Sequence, residues 1–276
     1  GIGFSMTTVQ DQFGVGSSSH GVATSREFYC GVELEIEDIK STDDVQSNCS
    51  GVIVESDHSL RNNGLEFKFG PVKFDQALST FNNIWKYLKV GKTPFSERTS
   101  IHVHVNARCL TVEEARQLVL LYALYEPLFF NFVGNERKNN IFCVPLNYTS
   151  LPNTYKSNLV AMHKAWSKYT AFNICPMGPG KDGSDCHGTI EFRHMYGTKD
   201  PEVFKKWLTT LKELYTFVEK NTGFDIIKTI LSGKDMAAYA SAVIPTLANG
   251  MTLGQINNLI EDSLIDVKLS SGGLTK

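Results

Sequence analysis

The sequence predicts one α+β domain with a helical segment appended at its C-terminal end. Three observations carry that expectation. Short stretches between residues 28 and 107, and again at 188–195, alternate apolar and polar residues with the period of a half-buried strand. Longer stretches repeat apolar residues at helical spacing, and beyond residue 200 they follow one another with only short breaks. Between residues 27 and 268 there is neither an internal repeat nor a linker-like run that would divide the chain.

Residues 1–26 are rich in Ser, Gly and Thr without a sustained period, which predicts a loosely held arm. From Phe28 to Glu37 the alternation is strict: Val32, Leu34 and Ile36 fall on one face, Glu33, Glu35 and Glu37 on the other. A second strand is expected at 51–56, and Asn62-Asn63-Gly64 makes a turn into a third at 65–69. Pro71 is expected to end that strand before an amphipathic helix at 73–90. A fourth strand at 99–107 sets Ile101, Val103 and Val105 against His102, His104 and Asn106. Thr111-Val-Glu-Glu114 reads as a capping box for a helix at 112–126. The stretch 134–158 is polar and irregular. A helix at 158–168, a strand from Tyr169 to Cys175, a Gly178–Gly188 flap and a strand at 188–195 follow. Helices at 201–221, 224–232, 235–248 and 254–262 complete the domain, and 269–276 reads as a flexible tail.

Composition narrows the function classes. With 27 basic and 29 acidic residues among 276, the net charge of −2 gives no overall basic field to hold nucleic acid. The cysteines at 30, 49, 109, 143, 175 and 186 lack the spacing of zinc ribbons or thioredoxin motifs. No apolar run reaches membrane-span length, and the first residues carry no charged-then-apolar leader pattern. On those grounds Asn48-Cys-Ser and Asn147-Tyr-Thr read as chance sequons, and a reducing, cytoplasmic setting is expected.

The informative feature is what the non-core strand faces carry. They hold Glu33/Glu35/Glu37, Glu66/Lys68, His102/His104/Asn106 and Glu191/Arg193, and residues two apart in a strand project the same way. Any one of these pairs on its own is an ordinary solvated face or a salt-bridge element. All of them in one chain put carboxylates where they would repel one another, unless divalent cations intervene. Oxygen and imidazole donors without thiols suit Mg²⁺ or Mn²⁺.

In order and spacing, Gly31-Val-Glu33-Leu-Glu35, Asp57-x-Ser59-Leu60-x-x-x-Gly64-x-Glu66-Phe67, His102-Val-His104-Val-Asn106 and Thr189-Ile-Glu191-Phe-Arg193 resemble the amidoligase family of phages, bacteria and fungi. The similarity covers roughly residues 28–220. It implies a glutamine synthetase-like fold, a curved antiparallel sheet lining a funnel, like that of glutamate–cysteine ligase. It implies ATP and two or three Mg²⁺ or Mn²⁺ ions, with Glu33, His102 and Glu191 on one ion and Glu35 and Glu66 on another, Asp57 being a candidate third acid. Arg193 would neutralise the transferring phosphoryl group and His104 would meet nucleotide phosphate or substrate. Lys68 joins these two as a nucleotide-binding residue. The implied reaction joins a carboxylate to an amine through an acyl phosphate, the substrates being small molecules, peptides or, in a phage setting, a modified nucleobase. The stretch 134–158 would help choose them. Two other readings use part of the same residues: an iron oxygenase built on His102, His104 and a Glu, or a metal- or nucleotide-binding module without catalysis. The first leaves Glu33, Glu35, Glu66 and Arg193 without a role.

Overall fold

The structure is a computed structural model that describes residues 7–14, 24–180 and 186–270. In chain order its elements are α1 (Val9–Phe13), β1 (Tyr29–Ile36), β2 (Ile39–Ser41), α2 (Asp43–Asn48), β3 (Ile53–Ser56), β4 (Leu65–Lys73), α3 (Phe74–Tyr87), β5 (Lys89–Val90) and β6 (Ser100–Asn106). Then come α4 (Val112–Val133), α5 (Leu151–Thr154), α6 (Leu159–Ala165), β7 (Phe172–Asn173) and β8 (Thr189–Tyr196). Five helices close the domain: α7 (Pro201–Lys220), α8 (Ile226–Leu231), α9 (Met236–Val243), α10 (Pro245–Ala248) and α11 (Leu253–Ser270).

The main sheet has six strands in the order β3-β4-β1-β6-β8-β7, every neighbouring pair antiparallel. It is an open sheet. Its apolar face buries Val32, Leu34, Phe67, Ile101, Val103, Ile190 and Phe192. Against that face pack α3 and α4, and α7 crosses both of those helices. The remaining C-terminal helices extend the layer along α4 and α7. With β1 and β6 at the centre, the sheet has one greasy side and one side free to carry chemistry.

Several boundaries differ from the sequence reading for identifiable reasons. Strand β4 runs through Pro71 to Lys73, because β3 pairs with it only as far as Lys68. Beyond that point β4 is an edge, where a missing N–H is tolerated. Helix α4 begins at the expected capping box, with Thr111 N donating to Glu114 Oε1 at 2.7 Å and Glu114 N to Thr111 Oγ1 at 3.1 Å. It then continues through Pro127 to Val133, since Leu128, Phe129, Phe130 and Val133 are all buried. Their burial outweighs the backbone bond a mid-helix proline removes. The expected strand at 169–175 shrinks to two residues, and 235–248 divides at Ile244, which is held out of helical geometry before Pro245. Helix α11 outruns its expected end because Ser263 and Val267 continue its buried stripe. Residues 7–14 of the expected arm form a docked turn instead: Thr8 bridges Thr111, and Val9 is fully buried. Part of the Gly178–Gly188 flap and most of the tail lie outside the described residues.

Candidate active site

Register assembles the site. Glu33 stands opposite Lys68 on β4 and His102 on β6, Glu35 opposite Glu66, and His104 opposite both Gly31 and Glu191. Asn173 on β7 faces Glu191 from the other side. Side chains on one face of adjacent strands lie within contact distance, so the five strands deliver their polar groups to one volume. The His104 Nε2 atom is 2.7 Å from Glu33 Oε1 and 3.2 Å from Glu191 Oε2, while its Nδ1 meets Thr189 Oγ1 at 2.8 Å. Ligand atoms of Glu33, His104 and Glu191 all lie within 4.8 Å of one another.

That trio differs from the expected one. Sequence reasoning grouped His102, not His104, with Glu33 and Glu191. His102 Nδ1 is 3.6 Å from Glu191 Oε2, and its Nε2 shares a 3.0 Å hydrogen bond with Ser100 Oγ. The set in reach therefore has one imidazole and two carboxylates, whereas a facial iron site needs two imidazoles and one carboxylate.

The proton affinities follow from this crowding. Burial works against a charged His104, but hydrogen bonds to Glu191 and Glu33 overcome it and raise its pKa to about 10. An imidazolium thus sits between the two carboxylates, in the position a cation would take. Burial alone would raise Glu191, yet the His104 hydrogen bond and the charge of Arg193 hold it well below the usual carboxylate range. His102 is lowered to about 4 by burial and is neutral, its lone pair available. On the other side, burial lifts Glu35 to about 8, helped by the hydrogen-bonded Asp57 carboxyl and opposed by the Ser100 hydroxyl. Glu66 is raised by burial and then by its hydrogen bond to Glu33. Two carboxyl pairs, Glu33 with Glu66 and Glu35 with Asp57, are within hydrogen-bonding reach. Without a cation each pair must share a proton.

A cavity of about 1320 Å³ opens over this face, lined by Glu33, Glu35, Asp57, Glu66, His102, Glu191 and Arg193. That exceeds the few hundred to 1,000 Å³ typical of one drug-sized ligand, leaving room for two reactants. Arg193 is anchored on both sides: Nη1 donates to Glu191 Oε1 at 2.9 Å and Nε to the Phe142 carbonyl at 2.7 Å. His104, though bonded to Glu33 and Glu191, is not itself among the residues that line the cavity, and two further expected residues are placed elsewhere. Lys68 is taken by Glu55 at 2.9 Å and Glu66 at 3.8 Å, outside the cavity lining. Buried Glu37 accepts from the Arg61 backbone N–H at 2.6 Å and so ties down the loop that presents Asp57.

Four contributors were missed. Ser100 is two residues before His102 on the same face, so alternation could have found it. Asn173, whose Nδ2 donates to Glu191 Oε1 at 3.0 Å, lay within the expected strand 169–175. His187 lines the cavity, its ring centroid 6.2 Å from that of His104. Arg137 donates to the carbonyls of Arg193, His194 and Met195 where β8 bulges against β6, and nothing in the sequence signals this.

An antiparallel sheet thus gathers buried imidazole and converging carboxylates beside an anchored arginine. Residues 37–215 match the family model described as "putative amidoligase enzyme", well over half of the chain, and the protein belongs to that amidoligase family. Asp57, Glu66, His102, His104, Glu191 and Arg193 lie inside the matched stretch, while Glu33 and Glu35 stand just before it. No curated protein matches the chain. Among the described residues, no helix is long and apolar enough to cross a membrane.

Proposed function

We propose that the protein is an ATP- and divalent-metal-dependent ligase that joins a carboxylate to an amine, on a glutamine synthetase-like sheet. Family membership supports a ligase-type reaction on small molecules. The observation that carries the finer reading is the convergence of Glu33, His104 and Glu191 within 4.8 Å, with Glu33, Glu191 and Arg193 lining a cavity large enough for two reactants.

The donor set fits a hard divalent cation. It offers carboxylate oxygens and imidazole, with no thiol among the ligand atoms in reach. Carboxyl pairs that otherwise need shared protons are a second indication of fit. Glu33, His104 and Glu191 would hold one ion; Glu35, Glu66 and Asp57 would hold another. Such ions, when bound, would supply positive charge that offsets the negative charge of phosphate groups during activation of the acid substrate. The chain's own groups do the rest. Arg193, held by Glu191 and the Phe142 carbonyl, presents a preoriented guanidinium to the anionic reactants. Asn173 and His104 fix the Glu191 carboxylate from two sides. The acidic wall favours a cationic amine near the carboxylates, and the cavity walls keep water from an activated acid.

Calorimetric titration with Mg²⁺–ADP and Mn²⁺–ADP tests this directly. Binding, with a rise in melting temperature that neither component gives alone, is expected. Absence of nucleotide binding with both metals would remove the ligase reading.

A further inference from the structure

One part of the cavity lining, beside Arg193, is built differently. Ile141, Phe142 and Tyr169 are 72%, 44% and 43% exposed, and all three line this one cavity. The other large exposed apolar side chains stand elsewhere on the molecule and line no part of it. Exposed aromatic rings gathered in a charged cleft call for an explanation that scattered ones do not.

The backbone that carries these rings is tied down by hydrogen bonds. Val144 N donates to the Tyr169 carbonyl at 2.9 Å, Ala171 N to the Val144 carbonyl at 2.7 Å, and Arg193 N to the Ala171 carbonyl at 2.8 Å. Phe142 N is held by Asn140 Oδ1 at 2.9 Å, and its carbonyl by Arg193 Nε at 2.7 Å. The Phe142 and Tyr169 rings meet edge to face, centroids 6.0 Å apart at 61°. At that angle the two ring planes stand steeply inclined to one another, an aromatic corner on the cavity lining. Lys168 Nζ lies 5.1 Å from the Tyr169 ring centre. Among the described residues the second terminal nitrogen of Arg193 has no hydrogen-bond partner.

From this juxtaposition we infer that Phe142 and Tyr169 form a stacking subsite for a planar ring carried by an anionic molecule, with Arg193 and Lys168 receiving its negative group. The subsite belongs to the same cavity as the ligase reaction and, as part of that reaction, rests on that reading. The ring has two sources: the base of the nucleotide, or a ring on the acid substrate. The chemistry of recognition is the same for both. Flat apolar faces take the ring, a delocalised cation takes the anion, and the carboxylates are left to metal and amine.

The test uses ligand-observed NMR with two anions of differing flatness, 1-naphthoate and cyclohexanecarboxylate, on the wild type, Phe142→Ala and Tyr169→Ala. Both side chains are more than two-fifths exposed, and the backbone bonds at each position do not depend on them, so the variants fold. Melting curves check this, and Tyr169→Phe serves as the conservative control. Naphthoate should bind the wild type and the control alike, and lose affinity at least about fivefold in each alanine variant. Cyclohexanecarboxylate should bind more weakly and be indifferent to them. Naphthoate that fails to bind, or binds both alanine variants as it does the wild type, overturns the subsite. Added Mg²⁺–ADP separates the sources. Displacement of naphthoate assigns the ring to the nucleotide, and joint binding assigns it to the acid substrate. Mg²⁺–ADP that does not bind, while naphthoate still depends on Phe142, sinks the ligase reading and leaves the subsite standing.

Discussion

His104 and His194 stand on adjacent strands but on opposite faces of the same sheet, and are driven in opposite directions. His194 is completely buried among Phe129, Phe130, Phe192 and Trp207, and burial with the nearby charge of Arg137 keeps it well below its ordinary pKa. Its Nε2 meets the Tyr122 hydroxyl at 2.7 Å, and its Nδ1 has no partner. His104, with only 17% of its side chain exposed, suffers the same desolvation but ends charged because two carboxylates reach it. Burial is common to both; the partner decides. One face of the sheet therefore stores a neutral network, and the other stores charge that a ligand can exchange for its own.

Removing the charged imidazole breaks this comparison hardest. In the metal-free protein, His104→Ala strips Glu33 of its imidazolium partner and leaves Glu191 with Arg193 as its remaining counter-ion. A loss of about 3 kcal/mol or more is expected, the range for stripping one partner from a buried ion pair. Chemical denaturation measures it, and a loss below about 1 kcal/mol would mean that no imidazolium sits there. The same variant should weaken Mn²⁺ binding more than His102→Ala does. The reverse order in a Mn²⁺ titration would return the metal role to His102.

Arg193→Lys comes next. Lysine keeps the charge but cannot hold Glu191 and the Phe142 carbonyl from a planar fork. Once a substrate pair is found, turnover should fall by on the order of a hundredfold, with ATP affinity nearly kept. Loss that merely follows the melting temperature would make Arg193 structural.

A milder contrast concerns the neutral face. Glu126, fully buried, accepts from the Tyr122 hydroxyl at 2.5 Å, Leu146 N at 2.8 Å and Asn147 N at 2.9 Å. Burial lifts its pKa from 4.5 to about 7 against the pull of those bonds. A carboxyl raised on folding holds its proton more tightly in the native state. Its contribution is present below about pH 4.5 and lost as pH rises through 7. The stability difference between wild type and Glu126→Gln should therefore move against the wild type from pH 5 to pH 8. Parallel melting curves across that range would show that Glu126 does not titrate there.

The smallest effect belongs to His194→Phe. It removes the unpartnered Nδ1 and the Tyr122 contact, while Tyr122 keeps its bond to Glu126. Stability should shift by no more than about 1 kcal/mol and Mn²⁺ affinity not at all. A change in metal binding would show that the two faces are coupled.

How much of this was legible depended on periodicity. Glu33, Glu35, His102 and His104 announced themselves because strict alternation separates them from Val32, Leu34, Ile101 and Val103. Alternation gives the face but not the register. It could not tell which imidazole meets Glu191, a choice made by the pairing of β6 with β8 and the bulge between Ile101 and Val103. Nor could it show that Glu55, on the edge strand, captures Lys68. Pro71 misled for the same reason, and the run of α4 past Pro127 went unread. Proline rules are local, whereas an unpaired strand edge and a buried helix end are tertiary facts. Phe142 and Arg137 sit in a stretch without any period, so only their contacts reveal them.

The strand order has a consequence for how the protein comes into being. Strand β1 is made first of the six but lies at the centre, and its carboxylate Glu33 meets Glu191 only through His104, after β8 has been synthesised. Until then the acidic residues are spread along a growing chain and stay hydrated, so the early hairpins form without bringing all of those charges together. Gathering them falls to the last long-range closure, when loop entropy is also at its most demanding. Divalent cations in the surrounding solution should therefore speed that final step more than any earlier one.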